Sequence, residues 1–175
     1  MLDRRTDFWT FEKDLVPLHG VGDIDLLSQP LTAFFASRRC SGVAIRAATD
    51  WALALARAKQ PVVSGFHSPL EQSVLTLLLQ ARSPVVAVIA RPQAGARLDS
   101  AWLTALAERR MAVVTSHTAS RRLTETLSVE RNEVAALLAT RIVIAHAEPG
   151  GKLDAAQTRW RAARVDIELL SSGAG

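Results

Sequence analysis

The chain has 175 residues, 49% of them hydrophobic and 22% charged, with 21 Lys+Arg against 17 Asp+Glu for a formal charge of +4. A chain of that size and apolar content buries a core without staples, and its one cysteine, Cys40, excludes both an internal disulfide and a Cys-rich zinc site. Its first residues mix acids and bases with no long apolar run behind them, so neither a secretory signal nor a membrane span is predicted, and the protein is read as cytoplasmic.

Residues 1–30 carry Phe8, Trp9, Phe11, Leu15, Val16 and Leu18 without a sustained period and read as a lead-in that docks on a larger body. From residue 31 onward short apolar runs alternate with stretches of helical spacing. Strand 31–36 precedes helix 43–58, strand 61–63 precedes helix 70–81, and strand 85–89 precedes helix 100–109. Strand 112–115, helix 124–139, strand 142–145, helix 153–163 and strand 165–169 complete the series. Near-continuous apolar strands joined by helical crossovers predict an α/β fold, a Rossmann-like three-layer sandwich with a mainly parallel sheet. One domain is expected over 31–170, and residues 171–175, small and polar, are expected to fray.

Ligands of such sheets bind outside the carboxyl ends of the strands. There the sequence places Ser37-Arg38-Arg39, then Ser64-Gly65-Phe66-His67-Ser68-Pro69-Leu70-Glu71, and later Arg91 with Arg97, Ser116-His117 with Arg121, and His146 to Lys152. Ser68-Pro69 has the form of an N-cap followed by proline at the first helical position, and Pro149-Gly150-Gly151-Lys152 is a second flexible turn before a helix. Both turns would present exposed backbone amides to a phosphate; the plainer reading makes each an ordinary strand-to-helix turn. Of the 21 bases 18 are Arg, whose forks match phosphate oxygens, so a polyanionic partner is a natural candidate.

Other residues divide between a chemical and a packing role. His67 and His146 are candidates to meet as acid and base or as metal ligands, but no third ligand follows at a standard spacing. Arg38 and Arg39 would favour a thiolate at Cys40, whereas an isolated cysteine beside a first strand is more often a packing residue. Arg109-Arg110 reads as basic charge at a helix C-terminus. Trp102 and Trp160, inside predicted helices, are assigned to the core or to contacts between copies in a homo-oligomer. Low aromatic content weakens any mechanism built on successive stacked bases.

The runs F-F-A-S-R-R, S-G-F-H-S-P-L-E, E-R-N-E-V-A-A-L-L-A-T-R-I-V-I-A-H-A and E-P-G-G-K resemble the Rossmann-like core of the DNA-processing protein A (DprA/Smf) family, within a superfamily that includes the LOG proteins, over roughly residues 31–152. Ser37-Arg38, Ser64-Gly65 and Arg131-Asn132 match its motifs residue by residue. Ala36 replaces a glycine, His67-Ser68-Pro69 replaces an A-x-G portion, and Glu71 stands where the family has Asp. The resemblance implies single-stranded DNA binding and help in loading a recombinase; typical members carry further terminal domains. The alternative it carries is a nucleotide-derived ligand sensor or a LOG-like phosphoribohydrolase. For that activity the P-G-G-x-G-T-x-x-E motif is broken here, with Leu153-Asp154 for G-T and Gln157 for the active-site Glu.

The candidate ligand-binding residues are thus Ser37, Arg38, Ser64, Gly65, His67, Ser68, Glu71, Arg131, Asn132, His146, Gly150, Gly151 and Lys152, with single-stranded DNA or a nucleotide as ligand and no cofactor or metal expected.

Overall fold

The computed structural model describes residues 8–91, 97–117 and 125–170. Arg4-Arg5, Arg121-Arg122 and the tail 171–175 lie outside the described residues. The described strands are β1 (Trp9–Lys13), β2 (Val16–Gly22), β3 (Thr32–Phe35), β4 (Val62–Ser64), β5 (Val85–Val88), β6 (Met111–Thr115), β7 (Arg141–Ile144) and β8 (Ile167–Leu169). The helices are α1 (Gly42–Arg57), α2 (Pro69–Gln80), α3 (Ser100–Ala107), α4 (Glu125–Leu138) and α5 (Lys152–Ala162), with a 3-10 turn at Ile24–Ser28. No helix among the described residues is long and apolar enough to cross a membrane.

All eight strands form one sheet in the order β1-β2-β6-β5-β4-β3-β7-β8, with β6 through β8 parallel and β1 and β2 antiparallel. Successive strand residues point to opposite faces. Ala33, Phe35, Val63, Val86, Val88, Ala112, Val114, Ile142 and Ile144 therefore pack under α4, α5 and the 3-10 turn. Phe34, Val62, Val85, Ala87, Met111, Val113 and Val143 pack under α1, α2 and α3. This is the expected three-layer Rossmann-like arrangement. Trp160 joins the first layer, stacked on Phe35 at 5.0 Å, while its indole N–H donates to Glu133 at 2.9 Å.

The stretch read as a lead-in contributes two strands of the sheet itself. Trp9 and Phe11 alternate with exposed Thr10 and Glu12, a period of two that lasts too briefly to register in the sequence. The β1–β2 turn places Asp14 and Leu15 at φ +47° and +66°, the type I′ geometry of a two-residue hairpin. Asp-Leu lacks the glycine that usually announces such a turn. The Trp9 indole lies over Gly20 and donates to the Gly22 carbonyl at 3.0 Å.

Four helices end alike. Lys59, Arg82, Arg109 and Arg164 follow α1, α2, α3 and α5 in the left-handed region, at φ +53°, +55°, +57° and +59°. Each pairs its own N–H, and the next residue's N–H, with carbonyls of the last turn, as in Lys59 to Ala56 and Gln60 to Leu55. These are Schellman closures with a base where glycine is usual: positive charge at the negative end of the helix dipole offsets only part of the backbone strain. Arg109-Arg110 thus lies just past α3 rather than within it, its bases facing Asp23 and Glu108.

Two substitutions test this reading by urea unfolding. Arg164→Gly should stabilise the fold by about 1 kcal/mol by releasing the strained backbone. Gly20→Ala, whose Cβ would lie 2.0 Å from the Trp9 ring, should cost about 1–3 kcal/mol.

Candidate functional site

The sheet reverses its winding between β3 and β7, since the chain leaving β3 enters α1 on one face and the chain leaving β7 enters α5 on the other. A crevice at the carboxyl ends of the strands follows from that topology. It holds a cavity of about 490 Å³ lined by Ala36, Ser37 and Arg38 after β3, His67, Ser68 and Glu71 after β4, Ser128, Arg131 and Asn132 on α4, and Glu148, Gly151, Lys152 and Leu153 after β7. Four segments distant in sequence converge there.

Glu71 organises the floor. It is 4% exposed, and its two carboxylate oxygens accept the N–H groups of Ala36 at 3.1 Å, His67 at 2.8 Å and Ser68 at 3.1 Å. The Ser68 hydroxyl accepts the Glu71 N–H in return, which completes a capping box at the start of α2. One carboxylate therefore ties the exit of β3 to the turn after β4. Burial pushes the Glu71 carboxyl above its ordinary value, opposed by the three amides and by Arg131.

Arg131 reaches this floor across Gly65. A Cβ at Gly65 would lie 2.3 Å from Arg131 Nε, so only glycine admits the guanidinium at this depth. Arg131 Nε is buried without a hydrogen-bond partner; burial lowers its pKa while Glu71 raises it. Burial, then Arg131 and Arg38, lower the pKa of His67. Phe66 bridges Gly65 and His67 at φ +47°, with its N–H held by the Ser64 hydroxyl at 3.2 Å. A bulky residue in that conformation is strained, and here it sets the direction in which His67 leaves the turn.

On the opposite wall the Ser37 hydroxyl accepts the Glu148 N–H at 2.8 Å, and the Ser37 N–H donates to the His146 carbonyl at 2.9 Å, joining the exits of β3 and β7. Gly150, at φ +74°, donates its N–H to Asp154 at 2.9 Å, and Gly151 donates to the Glu148 carbonyl at 2.9 Å.

Nine of the candidate residues, Ser37, Arg38, His67, Ser68, Glu71, Arg131, Asn132, Gly151 and Lys152, line the cavity. Ser64, Gly65, His146 and Gly150 do not; they shape the turns through the bonds and packing just described. The expected amide cradles are occupied in part. The amides of His67, Ser68, Gly150 and Gly151 are already paired with carboxylates and a carbonyl of the chain itself. His146 does not join His67 in the cavity, and among the described residues no group of three or more His, Cys, Asp or Glu is placed to hold a metal ion.

Other strand-end groups lie elsewhere. Arg91 donates to the Arg97 carbonyl, and His117 sits 3.2 Å from Glu130. The Cys40 thiol donates to the Ser37 carbonyl at 3.2 Å, and burial followed by Glu71 pushes its pKa up, against the thiolate that neighbouring arginines suggested. Gln157 is not among the lining residues. Four lining residues, Ala36, Ser128, Glu148 and Leu153, were not among the candidates. Ser128 was findable, because it precedes Arg131 and Asn132 by three and four positions and so shares their face of α4.

The fold defines a Rossmann-like protein of the α/β class with a crevice at the topological switch point. The model of the DNA recombination-mediator protein A family matches residues 11–165, and the chain belongs to that family. DNA processing protein A from Helicobacter pylori, known for its single-stranded DNA binding mode, superposes with a TM-score of 0.76 at 13% identity, over 94% of this chain and 81% of that one. The Streptococcus pneumoniae DNA processing protein A gives 0.75 at 17% identity over 95% of this chain, which spans only 63% of that protein's length. The molybdenum cofactor carrier protein from Chlamydomonas reinhardtii gives 0.53 at 13% identity, over 81% of this chain and 76% of that one. At such identities the likeness concerns the fold. No curated protein sequence matches the chain.

The His67 shift gives a signed test. Its folded-state pKa lies below the unfolded value of about 6.5, so the unfolded chain binds more protons in the interval between them. The group's cost to the fold is absent above that interval and grows as pH falls through it. Urea unfolding of the wild type and His67→Gln should therefore show the variant gaining relative stability on going from about pH 7.5 to about pH 5.5; a pH-independent difference would contradict the assignment.

Proposed function

We propose that this chain binds single-stranded DNA across the crevice between β3, β4 and β7, with Arg38, Arg131 and Lys152 facing backbone phosphates and His67, Ser128 and Asn132 supplying further polar contacts. The observation that carries this reading is the convergence of these side chains from four segments at the switch point, in a member of the recombination-mediator family. The Helicobacter pylori relative's single-stranded DNA binding supports the choice of ligand.

The geometry favours side-chain recognition over stacking. Among the described residues no Phe or Trp lines the cavity, so the phosphates carry the contact. An arginine fork held at a fixed depth by Gly65 suits a phosphodiester oxygen pair. A recombinase as protein partner and a cytoplasmic location belong to the same proposal, in keeping with the family's recombination-mediator description.

Titrations of labelled oligothymidylate at several salt concentrations test it. Arg38→Ala and Arg131→Ala should each weaken binding and reduce the salt slope by about 0.7. Arg109→Ala, beyond the end of α3 with Asp23 at 3.7 Å, removes the same charge far from the crevice and should change little. Equal losses in all three would indicate diffuse attraction, and no binding by the wild type at low salt would overturn the DNA reading.

A further inference from the structure

Arg38 borders a second hollow as well as the crevice. This one, of about 340 Å³, lies where the β3–α1 loop meets the first turns of α1 and α2, and its walls include Arg39, Cys40, Ile45, Pro69 and Leu70. Arg38 is the residue that lines both spaces, so the crevice and the hollow are neighbours across one side chain.

The two spaces differ in chemistry. Glu71 and Glu148 line the crevice, whereas among the described residues no Asp or Glu lines the hollow. The first turn of α1 also carries no acid, so no side chain there offsets the positive end of its dipole, and Arg38 and Arg39 precede it. The hollow therefore favours negative charge. Its remaining wall is aliphatic, made by Pro69, Leu70 and an Ile45 that stays 46% exposed. A single exposed isoleucine is ordinary on a protein surface. One that borders a ligand-sized recess shared with two arginines has the makings of a subsite. An apolar wall beside positive charge matches a nucleotide unit, whose base has apolar faces and whose phosphate carries one charge. Apolar side chains, like aromatic ones, can hold an unstacked base.

We propose that the single strand leaves the crevice over Arg38 and lays its next base in the hollow between α1 and α2, against Ile45, Pro69 and Leu70, with Arg39 meeting the phosphate that follows. The inference rests on the single-strand reading above and adds to it the side on which the strand leaves and a place for one base. Phosphate recognition in the crevice and base contact in the hollow are then separate parts of one path, joined at Arg38.

Two octamers separate those parts, one of thymidylate and one in which every residue is an abasic tetrahydrofuran, which keeps the phosphates and removes the bases. In fluorescence anisotropy the wild type should bind thymidylate roughly fivefold more tightly than the abasic strand. Ile45→Ser, at an exposed position, should lose that preference by weakening thymidylate alone. Arg39→Ala should weaken both strands and lower the salt slope by about 0.7. Cys40, the chain's one cysteine and part of the hollow's wall, reports on occupancy: saturating thymidylate should suppress its alkylation by iodoacetamide, and saturating abasic strand should suppress it less. Equal affinity of the wild type for the two octamers overturns the inference and leaves the DNA reading standing. So does a preference that persists in Ile45→Ser, or a bound thymidylate that leaves Cys40 alkylation unchanged, either of which leaves the hollow to another occupant. Binding of neither octamer by the wild type at low salt would overturn the DNA reading itself, and this inference with it.

Discussion

The carboxylate of Glu71 is the interaction on which the crevice depends. It lies on α2, yet it accepts an amide from the exit of β3 as well as two from the turn after β4. A buried acid of this kind is costly alone and acceptable when its oxygens are satisfied. Its position fixes how far β3 and β4 diverge beyond the sheet, which in turn sets where Arg38 and His67 begin. Arg131 then approaches from α4 over Gly65, opposite in charge and close enough to bias the acid's titration. Strain at Phe66 is the conformational consequence of holding this turn open toward the cavity.

The basic residues divide by position rather than by number. Lys59, Arg82, Arg109 and Arg164 close helices at the edge opposite the crevice, where their charge answers the helix dipoles. Arg159 and Arg141 pair with Glu133 and Glu168 at the surface. Much of the arginine excess therefore serves helix termination and ion pairing. The subset proposed to meet phosphate, Arg38, Arg131 and Lys152, is distinguished by lining the crevice around the switch point.

The legible part of the sequence was the part in which a pattern repeats. Strands β3 to β8 and all five helices show either continuous apolar runs or helical spacing, and their observed bounds differ from the expected ones by no more than a few residues. The β1–β2 hairpin was illegible because an Asp-Leu turn adopts positive φ without glycine and because its alternation spans only a few residues. The gathering of Ser37, Arg38, His67, Glu71, Arg131 and Lys152 was legible through the strand-end rule and the matched motifs. The chemistry of that gathering was not. Gly-rich and Ser-Pro turns announce amides, but which of them are taken up, as those of His67 and Ser68 are by Glu71 and that of Gly150 is by Asp154, depends on the fold.

A crystal structure of the chain with a short oligothymidylate tests the central claim most directly. The account predicts internal phosphates within hydrogen-bond distance of Arg38 and Arg131 in the β3–β4–β7 crevice, with Glu71 still bonded to the amides of Ala36, His67 and Ser68. A strand seated elsewhere, for instance in the groove between α2 and α3 beside Trp102, would contradict it.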